Sequence, residues 1–393
     1  MPMASVIVSG ARTPIGKFMG AYSSFSAMDL GGFAIAEALT RAGLSGEQIG
    51  YVVMGQVLQA GQGQITARQA ATKGGVPMSV PAITINKVCL SGLNAVHLAD
   101  ALIRAGEAEI VVAGGMESMT NTPYSMPKAR TGARMGDAKL IDLMVHDGLW
   151  CAFDHKHMGD SSDDVNKTMG IGRAEQDEWS ARSHERAADA TKSGRLAEEI
   201  VAVSVPQRKG DAILIEEDEG VRPGTTVESL GKLAPAFQKD GTITAGNASQ
   251  ISDGGAAMIV MSEERAASMG LTPLATIVAH GQVAGPDASL HLQPSNAIKA
   301  AAAKASLDPA ALDLYEMNEA FAAVSVAAGR DLGVSDDTVN VNGGAVALGH
   351  PIGMSGARLI LTLAYELRRR GGGVGAAALC GGGGQGDALI IKV

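Results

Sequence analysis

The stretch Ile85-Asn86-Lys87-Val88-Cys89-Leu90-Ser91-Gly92-Leu93-Asn94-Ala95 joins an apolar segment to a helical pattern. Apolar residues recur at spacings of three and four from Leu93 to Ile103, and Gly106 is placed to end the helix. Cys89 is therefore predicted to lie on a strand-to-helix turn, where unpaired N–H groups and the helix dipole favour an anion. We expect its thiol to ionise more readily than that of a free cysteine. A buried structural cysteine is the alternative.

The composition is typical of a large α/β protein with more than one domain. The chain has 393 residues, which is too long for one simple core. Aromatic residues make up only 3% of it and glycine is abundant, so helices and sheets can pack closely through small side chains. The formal net charge of −9 argues against general nucleic-acid binding, which needs a basic surface, but it allows a small anionic ligand.

The sequence predicts a cytoplasmic protein with no membrane partner and no metal. Met1–Met3 lead directly into the apolar run Ser5–Ser9 without a basic leader, and no apolar stretch is long enough to span a bilayer. Three cysteines do not suggest a disulfide framework. No compact set of metal ligands is apparent, and the pair His155 and His157 is better explained by a pocket.

Strands and helices alternate on both sides of the cysteine turn, which predicts a parallel or mixed sheet covered on both faces. From about residue 116 to 247 the chain is richer in charge, proline and methionine, and this predicts an inserted loop domain. Its clearest helix is expected from about Glu175 to Gly194, opened by Asp177 and Glu178. The other predicted strands are 5–9, 51–55, 109–115 and 256–261, and the other predicted helices are 28–43 and 64–74.

A weak internal repeat predicts two similar halves. In the first, Ile85-Asn86 precedes Ser91-Gly92 and a helix. In the second, Val341-Asn342 precedes Ser355-Gly356 and a helix, and in both halves the helix is followed by a strand that ends in glycines. Two such halves facing each other would bring both helix N-termini near one centre.

Three further sites carry groups that can do chemistry. Asn318 lies at a predicted strand-to-helix junction, and His350 precedes a proline and so belongs to a loop. Cys380 opens the run Cys380–Gly386, whose glycines can turn N–H groups towards an anion. Each has an ordinary alternative: a helix cap, a surface histidine and a flexible turn. Together with Cys89, they are the groups that acyl transfer through a thioester intermediate requires.

These sites belong to motifs found together in one protein family. The motifs are Gly10–Gly16, the segment around Cys89, Gly114–Met119, Asn318–Phe321, Gly349–Pro351 and Cys380–Gly386. As a set, they resemble the thiolase family over essentially the whole chain, and most closely its acetoacetyl-CoA thiolases. The resemblance implies a reversible Claisen condensation of two acetyl-CoA to acetoacetyl-CoA and CoA through an acetyl-Cys89 intermediate.

The resemblance also implies the fold and its division. We expect an α/β thiolase fold, in which two similar βαβαβαββ halves form a layered αβαβα core with an inserted loop domain. Residues 1–118 with 251–271 are predicted to form the N-terminal half, and residues 272–393 the C-terminal half. Residues 119–250 are predicted to form the loop domain, which binds CoA. The family's habit implies a homotetramer built from two tight dimers.

Roles carry over from the family motif by motif. Cys89 is expected to be the acylated nucleophile, His350 to activate it, and Cys380 to move the α-proton of the attacking acetyl-CoA. Asn318 would hold a water that forms one oxyanion hole with His350. The backbone N–H groups of Cys89 and Gly382 would form the other.

The same resemblance implies where CoA and the acyl group bind. His157-Met158 matches the short-chain members, which favours acetoacetyl-CoA as substrate, and Phe321 is expected beside them. Leu290–Ser295 lacks the glycines that many thiolases carry near the acyl pocket. Its larger residues could either line the pocket wall or displace it. The positions that match the family's pantetheine and nucleotide contacts are Arg222, Ser229, Leu233, Phe237, Ala245 and Ser249.

Other functions remain open at this point. A broad-range degradative 3-ketoacyl-CoA thiolase would share the motifs. A decarboxylating ketoacyl synthase uses Cys and His on a similar fold, but Cys380 stands where such an enzyme carries His or Asn. A non-catalytic acyl-CoA carrier would be expected to lack one of Cys89, His350 and Cys380. A Cys/His hydrolase would not explain two cysteines.

Overall fold

The computed structural model describes residues 4–393, so the prediction about Met1–Met3 lies outside the described residues. The helices are α1 Ala27–Ala42, α2 Thr66–Lys73, α3 Ser91–Arg104, α4 Met158–Met169, α5 Arg173–Lys192, α6 Val227–Gly231, α7 Glu263–Ser268, α8 Gln293–Ala305, α9 Ala322–Leu332, α10 Ala345–Leu348 and α11 Ser355–Arg369. The strands are β1 Ser5–Arg12, β2 Gly16–Lys17, β3 Tyr51–Gly55, β4 Ala82–Ile85, β5 Ile110–Ser118, β6 Tyr124–Ser125, β7 Ile141–Asp142, β8 Trp150–Cys151, β9 Lys156–His157, β10 Val203–Val205, β11 Ile213–Ile215, β12 Ser252–Ser262, β13 Ala275–Ala284, β14 Leu314–Met317, β15 Val374–Gly381 and β16 Gln385–Lys392.

The N-terminal half follows the predicted order: β1, α1, β3, α2, β4, α3, β5 and β12. Strand β3 pairs parallel with β4 and β5, and β12 lies antiparallel between β5 and β1. Local signals set the helix ends where the sequence predicted them. Helix α1, for example, begins at a capping box of Ser26 and Asp29 and ends at Gly43, whose φ is 65°.

The C-terminal half repeats this pattern with one reduced strand. It runs β13, α8, β14, α9, α11, β15 and β16, and the strand expected after α9 is reduced to a parallel bridge between Tyr315 and Val339. Strands β1 and β13 pair antiparallel through Val6 and Ile7, which joins the two half-sheets edge to edge. The predicted mixed α/β fold of two similar halves is confirmed.

The two halves meet where α3 and α11 begin. A Cβ atom on Gly356 would lie 2.3 Å from the backbone nitrogen of Leu93, and one on Gly92 would lie 2.8 Å from the carbonyl oxygen of Gly353. Only glycine allows so close an approach of two backbones. The expected meeting of both helix N-termini near one centre is confirmed.

Short strands and the helices α4, α5 and α6 fill the segment between β5 and β12. Its longest helix, α5, starts at Arg173, and the side chain of Glu175 accepts a hydrogen bond from the Gly172 N–H. The predicted opening by Asp177 and Glu178 is therefore wrong, because the cap lies one turn earlier. Residues Met144–Leu149 form a π-helix, a form often found at functional sites.

Two features are absent from residues 4–393. None of the helices is long and apolar enough to cross a bilayer. No three His, Cys, Asp or Glu side chains are grouped so as to hold a metal ion.

Candidate active site

The three predicted reactive side chains line one cavity of about 50 Å³. Cys89 reaches it from the turn before α3, His350 from the turn before α11, and Cys380 from the end of β15. The first two turns meet through the glycine contacts of α3 and α11, so the fold itself brings these groups together. The remaining lining residues are Gly148, Leu149, His157, Met158, Ser249, Leu290, Ala320, Phe321 and Ile352.

Cys89 is the centre of this cavity's chemistry, yet its thiol is protonated at neutral pH. Burial raises the pKa of the Cys89 thiol to about 12, although the N–H groups of Cys89 and Gly382 donate to the sulfur and lower it. The expectation of a readily ionised thiol is therefore wrong, because loss of hydration outweighs both donors and the helix N-terminus. The negative charge of Glu117 adds to the rise.

His350 is a neutral base with a defined tautomer. Its Nδ1 lies 2.6 Å from Ser355 Oγ, and that hydroxyl donates its hydrogen to the carbonyl oxygen of Pro351 at 3.0 Å. Ser355 can therefore only accept from Nδ1–H, which leaves the lone pair on Nε2. Burial, with a smaller contribution from Arg358, lowers the pKa of His350 to about 3. The Asn318 amide nitrogen lies 3.3 Å from Nε2.

Cys380 is a second buried thiol in the same cavity. Burial, together with the neighbouring Cys89 sulfur, raises the pKa of the Cys380 thiol well above its usual range. Neither cysteine is in a disulfide. The site thus holds two protonated thiols and one neutral imidazole in the unliganded protein.

The predicted acyl-binding residues form the cavity's outer wall. His157 and Met158 end β9 and begin α4, and His157 accepts a hydrogen bond from the Gly159 N–H through Nδ1. Phe237 stacks on the His157 ring at 4.6 Å and forms a T-shaped pair with Phe321, with 6.2 Å between the ring centroids. Ser249 also lines the cavity.

Four predicted CoA-contact positions lie away from this cavity. All four are exposed and lie in or next to the segment around α6. They are Arg222, Ser229, Leu233 and Ala245. The Arg222 N–H donates to His184 Nδ1 at 3.2 Å, which ties this segment to α5.

Some lining residues carried no recognisable signal in the sequence. Leu149 enters the cavity from the π-helix, and such a local widening of a helix is not readable from spacing. In the sequence, Ser355 indicated only the start of a helix and not its contact with His350. In the 290–295 segment, Leu290 lines the cavity wall.

Comparisons with known proteins relate this chain to one family. The family description "Thiolase, N-terminal domain" matches residues 5–264, and "Thiolase, C-terminal domain" matches residues 271–393. A probable acetyl-CoA acetyltransferase of Mycolicibacterium smegmatis is 56% identical over 387 residues, which cover 98% of this chain and all of that protein. An acetyl-CoA acetyltransferase of Cupriavidus necator is 51% identical over 98% of both chains. The crystal structure of the Bacillus anthracis acetyl-CoA acetyltransferase matches with a TM-score of 0.95 at 38% identity, over 99% of this chain and 98% of that one.

Proposed function

Because this chain belongs to the thiolase family, we propose that it is an acetyl-CoA C-acetyltransferase. It condenses two acetyl-CoA to acetoacetyl-CoA and CoA, or runs the reverse cleavage, by a ping-pong route. The observation that carries the proposal is the convergence of Cys89, His350 and Cys380 on one small cavity. Acyl transfer needs a nucleophile and a base, and carbon–carbon bond formation needs a second proton acceptor.

In the first half-reaction, the Cys89 sulfur attacks the carbonyl carbon of acetyl-CoA. His350 Nε2 takes the thiol proton as the bond forms, since its lone pair is free. The N–H groups of Cys89 and Gly382 stabilise the oxyanion, and their existing bonds to the Cys89 sulfur support this role. Collapse gives acetyl-Cys89, and the CoA sulfur leaves with the proton from His350.

In the second half-reaction, the Cys380 thiol first gives its proton to His350 Nε2 in the same cavity, and the resulting thiolate removes a methyl proton from a second acetyl-CoA. The enolate oxygen is stabilised by the Nε2–H of the now protonated His350 and by a water held by Asn318, a role supported by the 3.3 Å contact of these two side chains. The enolate carbon then attacks acetyl-Cys89. Acetoacetyl-CoA forms, the Cys89 sulfur leaves with the proton of His350 Nε2, and Cys380 keeps the methyl proton, so the site returns to its starting state.

CoA approaches along the surface outside His157. Phe237 and Ser249 flank the pantetheine there, and the stacking of Phe237 on His157 supports this assignment. The more distant positions hold the nucleotide end, where the exposed Arg222 supplies a positive charge for phosphate. The positions in this outer group are Arg222, Ser229, Leu233 and Ala245.

The size of the cavity favours this function over a broad-range degradative thiolase. A volume of about 50 Å³ suits an acetyl group, and Met158, Leu149 and Leu290 line the side on which a longer tail would have to lie. The presence of Cys380 as a second thiol argues against a decarboxylating ketoacyl synthase.

The exposed surface supports assembly into a homotetramer of two dimers. Strand β4 is the last in its sheet, carries no charged residue and exposes Ile83, and such an edge is normally covered. A second copy of this edge would cover it. A separate apolar set for the dimer-to-dimer contact is Tyr124, Met126, Met135 and Leu140. Light scattering after size exclusion tests this assembly, since a monomeric mass would contradict it.

Thiolysis of acetoacetyl-CoA by CoA tests the proposed activity. We expect two acetyl-CoA to be released per acetoacetyl-CoA consumed. Decarboxylation of a malonyl thioester without this cleavage would point to a ketoacyl synthase, and binding without turnover would point to a carrier.

A further inference from the structure

A buried carboxylate outside the cavity ties the nucleophile's turn to the base's turn. Glu117 lies near the end of β5, is fully buried, and does not line the catalytic cavity. Its oxygens accept hydrogen bonds from the backbone N–H groups of Val57, Leu58 and Gly353 at 3.0, 3.1 and 3.0 Å. Among residues 4–393, no Lys or Arg forms an ion pair with it.

The hydrogen bond from the Gly353 N–H connects Glu117 to the turn that carries His350. Gly353 belongs to the turn between His350 and Ser355, the residue that sets the imidazole's tautomer. The turn is packed tightly on the end of β5, since a Cβ atom on Gly353 would lie 2.9 Å from both the Glu117 carboxylate and the Met116 carbonyl oxygen. The hydrogen bond from the Gly353 N–H therefore holds this turn in register with β5.

The hydrogen bond from the Val57 N–H connects Glu117 to the turn that carries Cys89. The Asn86 amide donates to the carbonyl oxygen of Val57 at 3.3 Å and accepts from the Val88 N–H at 3.0 Å. Val88 has a φ of 50°, a conformation that a β-branched residue rarely adopts and that its surroundings must impose. Glu117 thus acts on the Cys89 turn through Val57 and Asn86.

We propose that Glu117 is a positioning residue that aligns Cys89 with His350 by holding both turns against β5. This inference rests on the proposed function, because it concerns the efficiency of acyl transfer. Hydrogen bonds to three backbone groups from two separate segments need both carboxylate oxygens as acceptors. An amide at this position would direct N–H groups at a backbone donor.

Glu117→Gln tests the proposal, because a positioning role and a charge effect predict opposite changes in the rate of Cys89 acetylation. The Glu117 charge opposes thiolate formation at Cys89, so its removal alone would speed acetylation. Lost alignment instead slows single-turnover acetylation of Cys89 by acetyl-CoA, and kcat falls about 100-fold, the usual cost of a small misplacement. The KM for acetoacetyl-CoA should stay near the wild-type value, because Glu117 does not touch the cavity.

Two further variants complete the design. Ser9→Ala removes a buried hydrogen bond to Ala38 far from the cavity and controls for lost stability; its melting temperature should fall while kcat per folded molecule is unchanged. Asn86→Ala breaks the same chain of contacts and should lower kcat with unchanged KM. In the double variant of Glu117→Gln and Asn86→Ala, kcat should fall by a smaller factor than the product of the factors found for the two single variants.

The outcomes separate this proposal from the proposed function. An inactive wild-type protein would refute the function. An active wild type with unchanged kcat in either folded variant would overturn the role of Glu117. If Glu117→Gln does not fold, Asn86→Ala decides alone, and wild-type kcat in that variant overturns the proposal.

Discussion

The Nδ1 atom of His350 lies 2.6 Å from the Oγ atom of Ser355, and this contact fixes which imidazole nitrogen can act as a base. Because the Ser355 hydroxyl gives its only hydrogen to Pro351, it accepts from Nδ1–H. The Nε2 lone pair therefore faces Asn318 and the cavity. A single serine at the start of α11 thus prepares the imidazole for proton transfer from Cys89.

Replacing Ser355 by alanine should impair catalysis more than folding. Without the acceptor at Nδ1, the imidazole can rotate or change tautomer, and kcat for thiolysis should fall at least about tenfold, a part of what general base catalysis contributes. Ser325→Ala is the matched control, because Ser325 is a buried serine whose hydroxyl has no partner among the described residues. Equal kcat in Ser355→Ala and wild type would refute the assigned tautomer.

The reactivity of Cys89 should rise steeply with pH in the unliganded protein. Its pKa is raised to about 12, so at pH 7 on the order of one thiol in 100,000 is ionised. Iodoacetamide alkylation of Cys89, followed by peptide mass spectrometry, should therefore rise about tenfold per pH unit between pH 7 and 9. Free cysteine measured in parallel should level off near its own pKa. A plateau for Cys89 below pH 7 would show a depressed pKa instead.

The two cysteines should separate in function. If Cys380 only moves the α-proton, Cys380→Ser should still become acetylated when mixed with acetyl-CoA. It should fail to exchange the methyl protons of acetyl-CoA with solvent deuterium, measured by NMR beside the wild type. Normal exchange in this variant would mean that another group removes the proton.

Acyl-chain preference should follow the cavity wall. We expect a steep fall in kcat/KM from acetoacetyl-CoA to 3-ketohexanoyl-CoA, beyond the 10–200-fold or so that one methylene in a permissive pocket can produce. Leu290→Ala should enlarge the cavity and so reduce the ratio of kcat/KM for acetoacetyl-CoA to kcat/KM for 3-ketohexanoyl-CoA. Leu332→Ala is the control, because Leu332 is a buried leucine in α9 away from the cavity. It should lower the free energy of unfolding by about 2–5 kcal/mol, as Leu290→Ala should, without changing the ratio of kcat/KM between the two substrates. A flat profile in the wild type would indicate a broad-range thiolase.

Much of the fold could be predicted because its signals are local. The capping box at Ser26 and the glycine at Gly43 mark α1 in the sequence itself. The turns carrying Cys89 and His350 were also predictable, since each lies between an apolar segment and a Ser-Gly helix start. Such signals need no knowledge of distant contacts.

The electrostatics and the supporting contacts could not be predicted, because they depend on packing between distant segments. The raised pKa of Cys89 comes from complete burial, which two halves of the chain create together. The hydrogen bond from Gly353 to Glu117 joins residues 236 positions apart. Leu149 enters the cavity through a π-helix that apolar spacing does not reveal.

The central claim is that acyl transfer passes through an acetyl group on Cys89. Incubation of the protein with acetyl-CoA alone, followed by acid quench and peptide mass spectrometry, tests it most directly. We predict one acetyl group per chain, on Cys89, and none in Cys89→Ser, whose hydroxyl is a far weaker nucleophile than a thiol. Acetylation found only on another residue, with Cys89 unmodified, would contradict the account.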